Sequence, residues 1–268
     1  GQFELLACDA RRERCQDAGM TRSVSAYRND LRDVAMAVQG DTLLFVGLAA
    51  DDTLRALVHR GTPDLIPNIA GSGWASLNLG TIPAAAVEVD SLAVASNGRA
   101  WVVSWFDYSD NGTANDDTDD SRDTLYVKMC YQSDDCTQSG NWTNVTLFNN
   151  DATRSLNWVA GAGGYVADGL SMDASEGYIW ISWPSMDRVL GTSCATANVC
   201  GYTVASCALN NDCKTAGNWQ FATIRNGNAN TRSSKLLEIS GELYLLGMQG
   251  FGNMNLWRCD VGTGCNAG

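Results

Sequence analysis

A repeated unit built around two close cysteines constrains the fold of this chain more than any other feature. The segment Cys130–Cys136 is followed by Gly140-Asn141-Trp142, and the segment Cys207–Cys213 is followed by Gly217-Asn218-Trp219. In each copy an apolar–polar alternation precedes the first cysteine and resumes at the tryptophan. This pattern predicts a strand, a short clipped loop and a second strand. Because such self-similarity is the signature of repeat architectures, the fold has to be assembled from this unit.

The ten cysteines fall into couples that are close in sequence. The couples are Cys8 and Cys15, Cys130 and Cys136, Cys194 and Cys200, Cys207 and Cys213, and Cys259 and Cys265. Zinc sites group such pairs in fours, usually with histidine, and the chain has a single histidine, His59. We therefore predict five local disulfides that clip hairpins, and a secreted, extracellular or cell-surface location in an oxidising compartment.

Strands joined by tight turns recur along the whole chain. Apolar hairpins open at Asp33, Ser91, Leu170 and Ser234. Third strands open at Phe3, Thr53, Thr124, Tyr202 and Asn253, and fourth strands at Met20, Trp74, Trp142 and Trp219. A four-stranded unit of about 45 residues predicts the blades of a β-propeller, in preference to a β-sandwich or a solenoid.

The predicted fold class is all-β, a β-propeller of four-stranded antiparallel blades with about four to five blade units. We assign residues 1–268 to a single propeller domain or propeller segment, with units at approximately 1–30 (partial), 31–80, 88–150, 166–226 and 232–268 (partial). The first unit lacks strands one and two, and the last unit lacks strand four. Incomplete end blades indicate an open segment of a larger propeller or strand-sharing with a neighbouring copy, because an unpaired edge invites association.

The unit from Ser91 to Thr143 joins a small-residue strand, a turn at Asn97-Gly98, the strand Leu125–Cys130, a second cysteine at Cys136 and the pair Asn141-Trp142. It resembles the sialidase-like (BNR-related) cysteine-containing β-propeller repeats of bacterial extracellular proteins. The resemblance implies a propeller fold and secretion, but it does not imply hydrolysis.

Catalytic signatures are missing from the sequence. A sialidase would need three clustered arginines, a Tyr/Glu nucleophile pair and an acid, and the arginines do not recur at a fixed place in the units. An Asp-box is only approximated between Ser171 and Trp180, through Asp173 and Gly177. His59 lacks a flanking triad motif, so we interpret it as an ordinary strand residue. We therefore expect that the chain is not an enzyme and has no catalytic residues.

The acidic insert between residues 107 and 123 is the best candidate for metal binding. Its oxygen-bearing side chains are those of Asp107, Asp110, Asn111, Asn115, Asp116, Asp117, Asp119, Asp120 and Asp123. Calcium takes about six to eight oxygen ligands from flexible loops, and a bound cation would offset the repulsion within this charge cluster. EF-hand spacing is not met, and a solvated acidic loop is the alternative. Structural calcium is the one cofactor that we predict.

The tryptophans and the loops suggest different roles. Tryptophans recur at equivalent places, at Trp74, Trp101, Trp105, Trp142, Trp180, Trp183 and Trp219. This recurrence favours packing between blades over sugar stacking. Loops on the rigid scaffold are better binding candidates, including Gly161–Tyr165, the Cys194–Cys200 loop and Gly250–Asn253. Asn111, Asn141 and Asn144 each begin a glycosylation motif.

Charge and hydropathy restrict the partners. The net charge of -12 disfavours nucleic acid as a ligand, and no apolar run is long enough for a membrane span. We predict a non-catalytic secreted or cell-surface module that recognises a glycan or a protein. One alternative is a structural subunit of an extracellular filament or adhesin, in which neighbouring copies share strands. The other is a sialidase-like glycoside hydrolase.

Overall fold

The computed structural model describes residues 4–7, 22–25, 31–49, 53–60, 74–81, 89–109, 121–156, 170–174, 177–191, 194, 196, 198–225, 231–239, 242–249, 253–260 and 264–267. Within these residues the chain is all-β, with antiparallel sheets and no α-helix. Short 3-10 helices at Ser139–Asn141 and Ala216–Asn218 are the helical elements in this part. Neither these nor any other described helix has the length and hydropathy of a membrane span.

A two-stranded pair is followed by four larger sheets in chain order. The pair consists of β1 (Glu4–Ala7) and β2 (Arg22–Ser25). Sheet 1 consists of β3 (Leu31–Gln39), β4 (Thr42–Ala49), β5 (Thr53–Arg60) and β6 (Trp74–Thr81). Sheet 2 consists of β7 (Val89–Asn97), β8 (Ala100–Ser109), β9 (Ser121–Tyr131) and β10 (Thr143–Phe148).

Sheets 3 and 4 repeat the same plan. Sheet 3 consists of β12 (Ser171–Ala174), β13 (Tyr178–Met186), β14 (Cys200–Ala208) and β15 (Gln220–Arg225), and the short β11 (Ser155–Leu156) also pairs with β13. Sheet 4 consists of β16 (Thr231–Ile239), β17 (Glu242–Gln249), β18 (Asn253–Asp260) and β19 (Gly264–Ala267). Within each set of four strands every strand pairs with the next along the chain, so each set is an antiparallel meander, and β11 is an additional strand that pairs with β13.

The end of the chain differs from the sequence-based expectation. We expected the last unit to lack its fourth strand, and this was wrong, because Gly264–Ala267 pairs with β18. The strand was missed because it is short, has a glycine at its start and carries no apolar alternation. In the described residues the first unit contains a two-stranded pair.

Consecutive sheets stack face to face, as blades of a β-propeller do. The first strands β3, β7, β12 and β16 lie beside one another along the stack. On β9, Leu125, Val127 and Met129 pack in the cluster shared with sheet 3, whereas Tyr126 and Cys130 pack in the cluster shared with sheet 1. This alternation follows from the two-residue period of a strand. We call the interfaces junction 1/2, junction 2/3 and junction 3/4, after the sheets that form them.

The described residues show stacking of neighbouring sheets and no extensive contact that would close sheet 1 onto sheet 4.

Junction 2/3 holds the densest aromatic packing. The ring centroids of Phe106 and Phe148 lie 5.6 and 5.8 Å from that of Trp183, and Phe221 lies 5.9 Å from Phe148. Burying an aromatic side chain of this kind contributes about 1.5–3 kcal/mol.

The cysteine loops form as predicted wherever the structure describes them. Disulfides join Cys130 to Cys136, Cys194 to Cys200, and Cys207 to Cys213. Cys259 is also disulfide-bonded, and its strand register places it opposite Cys265. Cys8 and Cys15 lie outside the described residues.

The repeated tryptophan after each cysteine loop has a structural explanation. The Trp142 indole N–H donates to the Cys136 carbonyl at 3.0 Å, and the Trp219 indole N–H donates to the Cys213 carbonyl at 2.9 Å. Each tryptophan therefore ties the start of the outer strand to the clipped loop. This satisfies a buried polar group within the repeat itself.

Candidate binding site between the first two sheets

A cavity of about 320 Å³ lies in junction 1/2. Sheet 1 contributes Leu54, Leu79, Gly80 and Thr81 to its wall, and sheet 2 contributes Trp105, Tyr126, Asn144 and Thr146. We call it the Trp105 cavity. It lies at the end of the junction where β8 leads into the acidic insert.

Strand register explains why the side chains of sheet 2 converge on this cavity. Trp105 on β8 pairs with Tyr126 on β9, and Tyr126 pairs with Thr146 on β10. Two residues along β9, Lys128 pairs with Asn144. Because alternate residues of a strand share a face, both cross-strand rows face sheet 1.

Trp105 is the most unusual residue of the cavity. Its side chain is 4% exposed, and its ring stacks on that of Tyr126 with a centroid distance of 5.6 Å and an interplanar angle of 23°. The buried indole N–H finds no hydrogen-bond acceptor among the described residues. An unpaired buried donor costs about 1–3 kcal/mol, so an acceptor from a ligand or an ordered water would stabilise this group.

Lys128 adds a buried cation to the same wall. The residue is 7% exposed, and burial lowers the pKa of its ammonium group. No ion pair of Lys128 exists within the described part of the chain. Gly80 lies beside it, since a Cβ at Gly80 would be in ordinary van der Waals contact with Lys128 Nζ, at 3.4 Å. Gly80 also has φ of +110°, which side-chain-bearing residues rarely adopt.

Tyr126 lies between a hydrophobic wall and a negative charge. Burial raises the pKa of its hydroxyl, and the nearby carboxylate of Asp107 raises this pKa further. The phenol is therefore protonated at neutral pH and can donate a hydrogen bond to a ligand.

The strand registers define equivalent positions in sheets 2 and 3. Cys130 pairs with Trp101 in sheet 2, and Cys207 pairs with Ile179 in sheet 3. The resulting equivalents are Trp105 and Trp183, Tyr126 and Thr203, Lys128 and Ala205, and Asn144 and Phe221. The face that sheet 3 turns to sheet 2 thus serves as an internal reference for the cavity wall.

In junction 2/3 the equivalent space is filled. The Trp183 indole N–H donates to the Arg154 carbonyl at 3.0 Å. Phe221 packs edge-on against Phe148, and the Arg154 guanidinium lies 4.4 Å from the centre of the Phe221 ring. Trp183 therefore has a hydrogen-bond acceptor in junction 2/3, whereas Trp105, at the equivalent position in junction 1/2, has none among the described residues.

Junction 3/4 is closed in another way. Gly247 occupies the place of the tryptophan, and a Cβ there would lie 2.4 Å from the ring of Tyr202. The Tyr202 hydroxyl donates to the Met248 carbonyl at 2.6 Å, and burial raises the pKa of this hydroxyl. The indole N–H of Trp180, which is buried in junction 3/4, also lacks a hydrogen-bond partner among the described residues, but no described cavity adjoins it. Within the described residues, junction 1/2 combines such a group with a cavity.

The predicted calcium ligands are largely outside the described residues. Asp110, Asn111, Asn115, Asp116, Asp117, Asp119 and Asp120 all lie there. Asp107 is on the sheet 1 side of sheet 2, near Tyr126. Asp123 is on the opposite side, where Arg188 Nη1 lies 3.3 Å from its carboxylate and the Ser155 hydroxyl donates to it. The described members of the set are therefore not brought together.

Among the described residues no group of histidine, cysteine, aspartate or glutamate side chains could hold a metal ion. Calcium binding by the insert stays a prediction for residues that this structure does not describe.

The residues of the approximate Asp-box have a structural role. The Ser171 hydroxyl accepts a hydrogen bond from the Leu236 amide at 3.0 Å, and the Asp173 carboxylate accepts one from the Glu238 amide at 2.7 Å. Both contacts attach the first strand of sheet 4 to sheet 3. His59 is buried on β5, with its ring centroid 5.1 Å from that of Trp74.

Core packing of the tryptophans is confirmed for most of the set. Trp101, Trp105, Trp142, Trp180, Trp183 and Trp219 are all buried. Sequence reasoning nevertheless missed Tyr126, Lys128 and Asn144 as cavity residues. The signal was present in the repeat, since these positions carry threonine, alanine and phenylalanine in the next unit. Reading it required the strand registers that define which residues are equivalent.

No family model and no curated protein matches this sequence. Similar solved structures include a Trypanosoma rangeli sialidase in complex with sialic acid, with a TM-score of 0.47 and 12% identity over 100% of this chain and 42% of that chain. The haemagglutinin-neuraminidase of parainfluenza virus 5 gives a TM-score of 0.46 and 10% identity, covering 89% of this chain and 60% of that one. An α-L-arabinofuranosidase from Lactobacillus brevis gives a TM-score of 0.45 and 9% identity, covering 85% of this chain and 67% of that one.

These likenesses agree with a sialidase-like β-propeller fold, and they concern the fold alone. The chain spans about two fifths of the trypanosomal sialidase that it resembles. We expected that the chain is not an enzyme, and this expectation is contradicted, because the similar solved structures are enzymes, with a sialidase and an α-L-arabinofuranosidase among them.

Proposed function

We propose that this chain is a carbohydrate-binding β-propeller of an extracellular compartment, and that the Trp105 cavity holds a sugar ring. The observation that carries the proposal is the buried indole N–H of Trp105, which lacks an acceptor among the described residues although its equivalent in junction 2/3 has one. A sugar oxygen in the cavity would supply that acceptor. The local disulfides suit an oxidising compartment.

The chemistry of the wall fits a carbohydrate. Sugars present apolar ring faces and a rim of hydroxyl groups, so their sites combine aromatic surface with a few placed polar groups. Tyr126 and Trp105 supply the aromatic surface, and Asn144 and Thr146 can both donate and accept. Lys128 supplies a further donor close to Gly80. A volume of about 320 Å³ is at the lower end of the usual range for small-molecule pockets.

The direct test is a glycan array followed by titration calorimetry on the best ligand. The panel includes sialic acid, which is bound in the similar trypanosomal sialidase, and cellotriose, which is bound in a similar α-L-arabinofuranosidase from Podospora anserina. Arabinosides complete the panel. We expect binding by the unmodified chain and at least a tenfold loss in Asn144→Phe, which installs the phenylalanine of the filled junction. A matched control is Gln220→Phe, which places the same ring on an exposed position of β15, away from the cavity.

Hydrolysis is tested with the same variants on fluorogenic sialosides and arabinosides, since binding is common to lectins and glycosidases. Any turnover should fall in Asn144→Phe and stay unchanged in Gln220→Phe. Binding that is equal in the unmodified chain and in Asn144→Phe would contradict the proposal, as would an array without a single ligand.

A further inference from the structure

A second cavity, of about 220 Å³, lies at the opposite end of junction 1/2. It is bordered by Arg60 of sheet 1 and by Trp101, Cys136 and Trp142 of sheet 2. We call it the Trp142 cavity. It is separate from the Trp105 cavity, and the carbohydrate proposal does not use it.

The equivalent place in junction 2/3 is occupied by the side chain of Tyr131. Its hydroxyl accepts a hydrogen bond from the Cys213 amide at 2.9 Å and donates one to the Asp212 carboxylate at 3.4 Å. Lys214 Nζ lies 4.9 Å from the centre of the ring. The ring thus lies beside the disulfide loop Cys207–Cys213, with a cation over its face.

The registers show what replaces this tyrosine in junction 1/2. Tyr131 pairs with Ala100, the first residue of β8, and Arg60 pairs with Thr42, the first residue of β4. Arg60 therefore takes the position of Tyr131. Its side chain is 62% exposed and reaches Asp135 at 3.7 Å, so it runs over the surface instead of filling the space.

The receiving groups for a phenol are nevertheless retained. Cys136 and Asp135 correspond to Cys213 and Asp212, because both pairs close the same clipped loop. Trp142 corresponds to Trp219, and both are tied to their loop by the same hydrogen bond. The cation over the ring would come from Arg60 in place of Lys214.

We infer that the Trp142 cavity binds the phenol side chain of a tyrosine from a protein or peptide partner. The ring lies against Trp101 and Trp142, and the hydroxyl accepts from the Cys136 amide and donates to Asp135. Arg60 covers the outer face of the ring by a cation–π contact. The size is sufficient, since an apolar cavity of about 150 Å³ already holds a benzene ring in another protein.

The test uses p-cresol, which is the tyrosine side chain as a free molecule, and toluene, which lacks the hydroxyl. Binding is followed by NMR through the indole N–H signals of Trp142 and Trp219. We expect p-cresol to shift the Trp142 signal and leave that of Trp219 unchanged, because Tyr131 already fills the second site. Toluene should bind at least fivefold more weakly.

Two variants separate this site from unspecific binding. Arg60→Tyr supplies the missing ring within the chain, so it should abolish the p-cresol shift. Arg258→Tyr makes the same change at another exposed, ion-paired arginine, on sheet 4, and should bind p-cresol as the unmodified chain does. Val58→Met serves as a second variant in case Arg60→Tyr does not fold. It places a methionine at the position that Met129 has in junction 2/3, so it fills the cavity and should weaken p-cresol binding.

The inference would be overturned by p-cresol leaving Trp142 unshifted, by equal binding of toluene, or by undiminished binding in Arg60→Tyr. Sugar binding at the Trp105 cavity is read out separately by calorimetry, so either proposal can fail without the other.

Discussion

Junction 1/2 and junction 2/3 place equivalent strands face to face, with Trp105 in one where Trp183 stands in the other. In junction 2/3 the tryptophan has a hydrogen-bond partner and phenylalanine rings surround it. In junction 1/2 the positions around it carry tyrosine, lysine and asparagine, and a cavity remains. One scaffold therefore supports both a sealed core and an open site, and the difference lies in a few side chains at equivalent registers.

The largest expected effect contrasts the two tryptophans in stability. Trp183→Ala should lower the free energy of unfolding by about 3–5 kcal/mol, because it removes a fully buried ring and a hydrogen bond. Trp105→Ala should cost clearly less, because its junction already holds a cavity and its indole N–H makes no bond among the described residues. Urea unfolding followed by circular dichroism measures both. Equal losses would mean that junction 1/2 is packed as tightly as junction 2/3.

The acidic insert is the next feature that distinguishes junction 1/2 from junction 2/3, since it directly follows β8, the strand that carries Trp105. We predict that it binds calcium and stabilises the open junction. A site that binds only the folded chain adds about 2.7 kcal/mol at a calcium concentration of 100 times its Kd. Thermal melts with calcium and with chelator should therefore differ, and replacing Asp116 and Asp117 by asparagine should reduce the difference. An unchanged melting midpoint would contradict structural calcium.

Replacement of each tryptophan by phenylalanine isolates the hydrogen bond. Trp183→Phe leaves the Arg154 carbonyl without its donor, so it should cost about 1 kcal/mol more than Trp105→Phe. Loss of ring size is common to both variants and cancels in the comparison. The difference is measured from the two urea midpoints. A greater loss in Trp105→Phe would reveal a partner for its indole N–H in the folded chain.

Lys128 gives the smallest effect and a pH dependence. Its pKa is lowered in the folded chain, so the unfolded chain binds more protons between that lowered pKa and the ordinary lysine value of about 10.4. The free energy of unfolding should therefore rise with pH through this window. Lys128→Met should remove this part of the slope, and Lys235→Met, at an exposed lysine on β16, should not. Identical slopes would show that Lys128 is not desolvated.

Much of the fold could be predicted because its determinants are local. The cysteine pairs, the turn at Asn97-Gly98 and the alternation on β9 each act within a few residues, and they define hairpins and clips. The fourth strand Gly264–Ala267 was missed because it is short and carries no apolar pattern, although its backbone pairs with β18.

The candidate site could not be predicted in the same way. In the sequence, Tyr126 and Lys128 look like ordinary strand residues. Whether they line a cavity depends on the residues of sheet 1 that lie opposite them. Trp105 was assigned to the core and is indeed buried, but burial hides the unpaired donor that distinguishes it from Trp183. The expectation about enzyme activity rested on local motifs alone, whereas catalytic residues can come from separate strands that the fold brings together.

The most direct measurement of the central claim is NMR of the indole N–H groups of Trp105 and Trp183 during titration with the best oligosaccharide from the array. The claim predicts that the Trp105 signal moves downfield as its N–H gains an acceptor, while the Trp183 signal stays in place with its bond to Arg154. A Trp105 signal that remains unchanged at saturating oligosaccharide would contradict sugar binding in this cavity.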